Sequence, residues 1–283
     1  MSIELRELRC LVAVVDSGSF TDAGLDLRMS QAAVSRNLAS LERKLGVRLV
    51  RRTTRRLELT DAGERALRNA RRVLSAVDEL ERDAHNENQV VRVGYAWSAL
   101  GRHTVPFQRR WVAAHPAIGL ELVRSNTSTA GLADGSTQLA ILRRPPPTDD
   151  YDMVLIGLER RYCAMAADDP WATRRSVTMG ELADRTIAID QATGTTVLEL
   201  WPDDARPRGV VETHDVDDWL TVISSGRAVG VSAESTGDQY RRPGIVYRPV
   251  RDASPIPVYI AWPRADPPRD RAAIVDLLID LYR

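Results

Sequence analysis

The spacing of apolar residues changes once along the chain, at the polar segment 85–89, and this change constrains the fold most strongly. Before it, apolar residues recur at the three- and four-residue steps typical of amphipathic helices. After it, short apolar runs typical of buried strands alternate with helical segments, and this β-α-β-α-β order predicts a parallel sheet with helices on its faces. The sequence therefore predicts a multidomain α and α/β protein, and 283 residues suffice for two or three domains.

Basic side chains are concentrated in one part of the amino-terminal region. Lys plus Arg and Asp plus Glu number 39 each, so the net charge of the whole chain identifies no partner. Between positions 43 and 56, however, there are cations and no acid, and such a local field attracts a polyanion. These cations are Arg43, Lys44, Arg48, Arg51, Arg52, Arg55 and Arg56.

Two amphipathic segments are predicted to form the first helices. The first ends at the Asp-Ser-Gly sequence of residues 16–18, and Thr21 is a candidate N-cap for a short second helix. The apolar face of the first helix is formed by Leu5, Leu8, Leu11, Val12 and Val15.

A third helix is predicted from Gln31 to Leu45, because Ser30 suits an N-cap and Gly46 suits the C′ position. Its predicted buried stripe consists of Ala33 or Val34 together with Leu38, Leu41 and Leu45.

The opposite side of the third helix has short, hydrogen-bonding side chains. Gln31 and Arg36 can make bidentate contacts with adenine and guanine in a major groove, and Ser35 with the helix N-terminus can hold phosphates. Taken alone, these residues are more often an ordinary solvated helix face. The residue types indicate Gln31, Ala32, Ser35 and Arg36 as candidate DNA contacts on this helix.

The segment that follows favours nucleic-acid binding over simple solvation. Residues 47–60, VRLVRRTTRRLELT, have extended character, and we interpret them as a two-stranded wing with an arginine-rich tip. Arginines there can reach the phosphate backbone or a narrow minor groove. The alternative is a solvated β-ribbon. We favour DNA binding because the helix and the wing could contact the same polyanion. The candidate wing contacts are Arg51, Arg52, Thr53, Thr54 and Arg55.

Residues 20–64 resemble the winged helix-turn-helix of LysR-type transcriptional regulators. The resemblance is carried by the motifs F-T-x-A at 20–23, S-Q-x-A-V-S at 30–35, L-E-x-x-L-G at 41–46 and L-T-x-A-G at 59–63. Gly24 stands where the family usually has Ala, and Val50 where it usually has Phe. The resemblance implies double-stranded promoter DNA as a partner, with the domain at about 1–60. It also implies base and phosphate contacts at the same helix and wing residues and adds Ser30 to them.

A long linker helix is predicted at about 61–86, with Asp61 and Glu64 at capping-box spacing. Its apolar residues recur at alternating steps of four and three, which is an a/d seam. The helix could pack on its own domain, but we favour dimerisation because one helix-turn-helix reads only a half-site. The resemblance implies the same arrangement. The seam residues are Ala66, Ala70, Val73, Val77, Leu80 and Ala84.

Residues 90–283 are expected to form the regulatory domain. The resemblance implies two α/β subdomains, as in periplasmic solute-binding proteins. The chain would cross from one subdomain to the other twice, and a cleft would lie between them. We expect subdomain one at about 90–160 and 265–283, subdomain two at about 161–264, and a short helix at 128–134.

Ligands of open α/β sheets bind beyond the carboxyl ends of strands, near helix N-termini. Hydroxyl and N–H groups there suit a small carboxylate or another polar metabolite, Arg143 could supply a bidentate contact, and Trp97 suggests a flat or apolar ligand portion. Taken singly, each of these hydroxyls is more often an ordinary helix cap, and Arg143 could equally pair with an acid on the surface. The candidate effector contacts are Trp97, Ser98, Ala99, Asn126, Thr127, Arg143, Thr193 and Ser232. The same rule selects the nearby Tyr95, Ala96, Ser128, Arg144, Ala192, Gly194 and Thr195.

Neither catalysis nor a metal site is expected. The four histidines lack metal-ligand spacing, Cys10 and Cys163 lie far apart, and no GxSxG, Walker A or GxGxxG motif occurs, so no cofactor is predicted. The first residues do not resemble a signal peptide and no apolar run is long enough to cross a bilayer, so we expect a cytoplasmic protein without a membrane partner.

The sequence thus predicts a LysR-type transcriptional regulator that binds promoter DNA and responds to a small-molecule effector held between its two subdomains. Its expected partners are DNA, the effector, further copies of itself in a homodimer or homotetramer, and RNA polymerase as an additional candidate. The alternative is an architectural DNA-binding protein whose carboxy-terminal domain only oligomerises. Sequence-indifferent, salt-dependent affinity would favour that alternative, whereas a small molecule that shifts DNA affinity would favour the regulator.

Overall fold

The computed structural model describes residues 2–52, 57–84 and 90–283, without the side chains of Arg52, Glu79 and residues 82–84. Contacts divide it into a helical unit, which holds the first helices and the wing, and an α/β unit. No helix within these ranges is long and apolar enough to cross a membrane. The helical unit consists of α1 Leu5–Ser17, α2 Phe20–Asp26, α3 Gln31–Leu45, β1 Val50–Arg52, β2 Leu57–Leu59 and α4 Asp61–Ala84.

Local sequence signals fix the ends of the first helices. The Ser30 hydroxyl accepts a hydrogen bond from Ala33 N at 3.2 Å, and Gly46 ends α3 with a φ of 72°, as predicted. The predicted Thr21 cap is wrong, because α2 begins at Phe20 and its N-cap is Ser19, two residues earlier, whose hydroxyl accepts from Asp22 N at 3.0 Å. Leu45 was assigned to the buried stripe, but it is 40% exposed because the last turn of α3 extends beyond the core.

The core of the helical unit lies where α1, α2 and α3 meet the base of the wing and the first half of α4. β1 and β2 pair antiparallel, with Val50 opposite Leu59. A Cβ on Gly63 would lie 2.0 Å from the Leu49 carbonyl oxygen, so only glycine lets α4 approach the wing this closely. The buried residues of the helical core are Cys10, Leu11, Val14, Ala23, Val34, Leu38, Leu41, Leu49, Val50, Leu67 and Ala70.

The long helix α4 begins as predicted but with a different cap. Thr60 accepts from Gly63 N through its hydroxyl at 3.0 Å, so the N-cap is Thr60 and not a capping box that starts at Asp61. Along the predicted seam, Ala70 is buried in the helical core, whereas Val73 and Leu80 are exposed. The second half of α4 therefore presents apolar side chains to solvent.

Two sheets, each of five strands within the described residues, form the α/β unit. Sheet one has the order β4-β3-β5-β12-β6, in which β3 is parallel to both β4 and β5, as predicted, whereas β12 is antiparallel to β5 and β6. Of the two helices in the predicted βαβαβ unit, only the one between β3 and β4 is present in the described residues. Its helices α5 and α9 bury Phe107, Trp111, Ile274 and Leu278 against one face. The elements are β3 Val90–Tyr95, α5 Thr104–Ala114, β4 Gly119–Arg124, β5 Leu139–Leu142, β6 Tyr151–Glu159, β12 Ile256–Pro263 and α9 Arg271–Tyr282.

Sheet two has the order β11-β7-β10-β8-β9, with β8 parallel to β9 and β10 and with β7 antiparallel to β10 and β11. Trp219 of α7 packs into its core. The elements are β7 Arg161–Ala166, α6 Met179–Ala183, β8 Thr186–Asp190, β9 Gly209–Thr213, α7 Val216–Ser224, β10 Val229–Ala233, α8 Glu234–Gln239 and β11 Ile245–Pro249.

Three features of the α/β unit differ from the sequence expectation. Strand β12 pairs with β5 and β6, so residues 256–263 belong to sheet one rather than to the second subdomain. The expected helix at 128–134 is a run of turns, because Ala130 and Gly131 have φ of 48° and 93°. The short elements α8 and β11 were missed.

Candidate nucleic-acid interface and ligand cleft

The amino-terminal half of α3 presents hydrogen-bonding groups to solvent. Gln31, Ala32 and Arg36 are exposed and Ser35 is half-buried, while Val34 on the opposite side is fully buried. Within the described ranges, the side chains of Gln31 and Arg36 have no hydrogen-bond or ion-pair partner. This surface is therefore free to meet base edges, which is what direct readout in a major groove requires.

The wing carries further basic residues. Arg51 is exposed on β1, opposite Glu58 of β2, and Arg52 ends the same strand. The predicted contacts Thr53, Thr54 and Arg55 lie outside the described residues, as does Arg56.

The run of cations has a structural member that the sequence did not distinguish. Lys44 donates to Glu7 across the core at 2.7 Å, and both side chains are largely buried. Burial acts to raise the pKa of Glu7, but the hydrogen bond from Lys44 and further donors lower it to about 2. Lys44 therefore joins α3 to α1 rather than contributing to a surface for a polyanion.

Glu42 fixes the wing relative to α3. Its Oε1 accepts from the backbone N–H groups of Leu49 at 2.7 Å and Val50 at 3.2 Å. The Thr60 hydroxyl donates to Arg48 O at 2.7 Å from the other strand. Sequence reasoning matched Glu42 to a motif but gave it no role, since its partners are backbone atoms that carry no side-chain signal.

A cavity of about 230 Å³ lies in the α/β unit, where strand ends of the two sheets face each other. Of the eight candidate effector contacts, Trp97, Thr127, Arg143 and Thr193 line it. The remaining lining residues are Ala96, Ser128, Ile141, Leu142, Arg144, Pro145, Pro147, Gln191, Ala192 and Thr195. This location agrees with the rule that ligands bind beyond strand carboxyl ends.

The candidate Asn126 connects the two sides of the cleft. Its Nδ2 donates to His214 O and its Oδ1 accepts from the Thr193 hydroxyl, each at 2.9 Å. Asn126 is exposed and belongs to the loop after β4, whereas both partners follow strands of sheet two. These two hydrogen bonds cross between the subdomains.

The candidates Ser98, Ala99 and Ser232 do not line the cavity. Ser98 is fully buried with its hydroxyl 2.9 Å from that of Ser235, and Ser232 is buried 2.8 Å from the Thr236 hydroxyl. Their hydroxyls instead hold α8 in place.

Arg143 lines the cavity, but its guanidinium is engaged by the protein. It donates to Glu159 Oε2 through Nε at 3.1 Å and to Oε1 through Nη2 at 2.9 Å. The same group donates to the carbonyls of Ser98 and Ala99 at 2.6 and 2.7 Å and to the Ser235 hydroxyl at 2.8 Å. The pair joins loops of sheet one to α8 of subdomain two.

Glu159 remains charged within this cluster. Burial acts to raise its pKa, but the charge and hydrogen bonds of Arg143, with hydroxyl donors from Ser235 and Tyr282, hold the pKa below its ordinary value. Of the two roles that the sequence allowed for Arg143, the structure agrees with pairing to an acid, although the acid, Glu159, is buried and not on the surface.

Trp97 contributes an aromatic wall to the cavity. It packs edge-on against Trp219 with ring centroids 5.6 Å apart, and its carbonyl accepts from the Tyr240 hydroxyl at 2.8 Å. Within the described residues, no carboxylate lines the cavity and no cluster of His, Cys, Asp or Glu could hold a metal ion. The cavity therefore offers hydroxyl, amide and guanidinium groups, which suit a polar or anionic small molecule.

A helix-turn-helix with a free recognition surface, in one chain with a two-sheet unit and a ligand-sized cleft, defines a one-component DNA-binding regulator. Residues 5–64 match the family described as bacterial regulatory helix-turn-helix protein, lysR family, and residues 84–282 match the LysR substrate binding domain. The chain belongs to the LysR family of bacterial transcriptional regulators, which bind DNA through the helix-turn-helix domain.

Individual relatives agree with this assignment. The chain is 32% identical over 210 residues to the regulator YnfL of Escherichia coli, covering 70% of each protein. It is 28% identical over 274 residues to BenM of Acinetobacter baylyi, covering 92% of this chain and 90% of BenM. The crystal structure of the LysR family regulator CbnR shares the fold, with a TM-score of 0.71, 21% identity and 99% of both chains covered.

Proposed function

We propose that α3 enters the major groove of a promoter half-site and that the wing contacts the adjacent backbone or minor groove. The contacts would be made by the candidate residues Ser30, Gln31, Ala32, Ser35 and Arg36, together with Arg51, Arg52, Thr53, Thr54 and Arg55. The free, exposed side chains of Gln31 and Arg36 are the observation that carries this proposal, because side chains engaged elsewhere could not read base edges.

The protein would act as a homodimer or homotetramer. A single reading helix covers one half-site, so a palindromic promoter needs a paired reader. The exposed Val73 and Leu80 of α4 support self-association, since apolar side chains along one helix stripe favour burial against a second copy. Family membership supports RNA polymerase as a further partner.

The cleft would hold a small-molecule effector, and the protein would regulate rather than catalyse. Subdomain one and subdomain two both contribute to the cavity lining, so a ligand there can favour one relative orientation of the two. A change of that orientation would alter the spacing of the reading helices. The hydroxyl, amide and guanidinium groups of the lining support the binding of a polar small molecule.

Footprinting on the DNA upstream of the protein's own coding region tests this function. We expect a protected palindrome with wild-type protein, general weakening with Arg51→Ala, and wild-type binding with the control Arg68→Ala, which removes the same charge from an exposed position on α4. Equal affinity for random and upstream DNA, unaffected by every metabolite in a screen, would favour the architectural alternative.

A further inference from the structure

Two adjacent arginines at the end of β5 have opposite surroundings. Arg143 is fully occupied by Glu159, two carbonyls and a hydroxyl, and its side chain is only 6% exposed. Arg144 is exposed, lines the cavity, and has no hydrogen-bond or ion-pair partner among the residues that the structure describes. Because Glu159 neutralises Arg143, the uncompensated positive charge of the cavity wall belongs to Arg144.

The backbone after Arg144 restricts where that charge can go. Residues 145–147 are three consecutive prolines, each with a fixed φ, and a residue that precedes proline is confined to extended conformations. Pro145 and Pro147 also line the cavity. The segment that carries Arg144 therefore loses less conformational entropy on binding than an ordinary loop would.

Among the residues that the structure describes, the rest of the lining contains no carboxylate that could compete for Arg144. Thr127, Ser128, Thr193 and Thr195 contribute hydroxyls, and Gln191 contributes an amide. An arginine without a carboxylate partner favours an anion that can accept two parallel N–H groups, which is the geometry of a carboxylate or a phosphate ester.

We propose that Arg144 selects an anionic effector and that Arg143 is a positioning residue that holds the cavity wall. This inference rests on the proposed effector-binding function of the cleft. The ligand class is a small carboxylate or another compact oxyanion whose body fits a cavity of about 230 Å³ beside Trp97. The sequence had placed the charge-assisted contact on Arg143, and the geometry moves it to the next residue.

The test uses the full chain and paired probes. Carboxylates of increasing size, from acetate to benzoate and including dicarboxylates, are titrated beside their neutral amides, with tryptophan fluorescence and calorimetry as readouts. The variants are Arg144→Gln, the charge-preserving Arg144→Lys, and the control Arg269→Gln, which removes an exposed arginine outside the cavity. DNA affinity without any probe is measured in parallel for every variant.

For the tightest acid we expect Arg144→Gln to weaken binding about 10- to 100-fold. Arg144→Lys should recover part of the affinity, and the control should match wild type. The amide should bind wild type and Arg144→Gln equally weakly. An acid that binds Arg144→Gln as tightly as wild type would overturn the proposal, as would amides that bind better than acids or a wild-type protein that ignores every acid.

The parallel DNA measurement separates the two levels of inference. If an acid binds but never alters DNA affinity or footprint, the regulatory function of the cleft fails while the role of Arg144 stands. If a neutral ligand binds and shifts the footprint, the regulatory function stands and the role of Arg144 fails.

Discussion

The reading face of α3 and the cleft of the α/β unit both carry polar side chains, but they use them differently. On α3, Gln31 and Arg36 have no partner within the described ranges, whereas Arg143 in the cleft has five hydrogen bonds to protein groups. In the proposed DNA surface, the polar groups of Gln31 and Arg36 are therefore free of partners among the described residues. In the cleft, an arginine that stabilises the structure, Arg143, precedes an arginine that we propose binds the effector, Arg144. The two differ in whether protein groups already occupy the guanidinium.

The prediction with the largest expected effect tests the distinction between Arg143 and Arg144. Arg143→Ala leaves Glu159 buried without its cation, and we expect a loss of about 3–5 kcal/mol in the free energy of unfolding of the α/β unit. The neighbouring Arg144→Ala should change stability by less than about 0.5 kcal/mol. All six tryptophans lie between positions 97 and 262, so denaturant unfolding followed by tryptophan fluorescence reports on this unit within the full chain.

Two further measurements sharpen the result. The double variant Arg143→Met with Glu159→Leu should recover part of the lost stability, because no unpaired charge remains. In Arg143→Ala alone, the pKa of Glu159 should rise, and the deficit should shrink as pH falls because the protonated carboxyl is easier to bury. Equal losses for Arg143→Ala and Arg144→Ala would contradict the distinction between the two arginines.

The second prediction concerns the support of the DNA surface. Gly63→Ala places a methyl group 2.0 Å from the Leu49 carbonyl oxygen, so the wing base or α4 must shift, at a cost of about 3 kcal/mol. Far-UV circular dichroism should show earlier loss of helix while the tryptophan transition stays at its wild-type position. Gly180→Ala is the control, since a Cβ there meets no atom within 4 Å, and it should be neutral.

The sequence predicted the helical unit better than the cleft, and the reason is the range of the interactions. Ser30, Gly46 and the spacing of Val34, Leu38 and Leu41 act within one helix, so the pattern alone orients Gln31. The partners of Arg143 come from 16 to 92 positions away, and no local pattern joins them. The helix α8 was missed because ESTGDQ has weak helix formers and is held by tertiary contacts.

The third prediction tests whether the free groups on α3 read sequence. Gln31→Ala should remove discrimination at one base pair, worth about 2 kcal/mol, and should leave affinity for random DNA nearly unchanged. Arg51→Ala should weaken binding to all sequences and make its salt dependence shallower by about one unit of slope. Fluorescence anisotropy with single-base operator variants at several salt concentrations distinguishes them, and identical losses on random DNA would contradict these roles.

The fourth prediction has the smallest expected effect and concerns Lys44, a cation of the basic run that pairs with Glu7 in the core. Glu7→Gln removes the charge that binds Lys44 and should lower the stability of the helical unit by about 1 kcal/mol at neutral pH. The pKa of Glu7 is about 2 in the folded protein, below its ordinary value of 4.5. Its stabilisation is therefore complete above pH 4.5 and is lost as pH falls from there towards 2.

The matching measurement is acid unfolding followed by circular dichroism. Wild type should lose its stability advantage over Glu7→Gln across that pH window, while Lys44→Met should lower DNA affinity only through stability. If Lys44→Met lost salt-dependent DNA binding while its folding was intact, Lys44 would contact DNA directly and its purely structural role would be contradicted.

The hydrogen bonds from Leu49 and Val50 to Glu42 have a consequence for promoter choice. Because one carboxylate on α3 accepts hydrogen bonds from the start of the first wing strand, we expect the helix and the wing to keep one mutual angle, so that under the proposed function each half-site would meet the same arrangement. If the proposed homodimer or homotetramer forms, we expect the distance and phase between half-sites to decide which promoters it occupies. A promoter series with identical half-sites and stepwise insertions between them would therefore show which spacing, in base pairs, the protein prefers with and without effector.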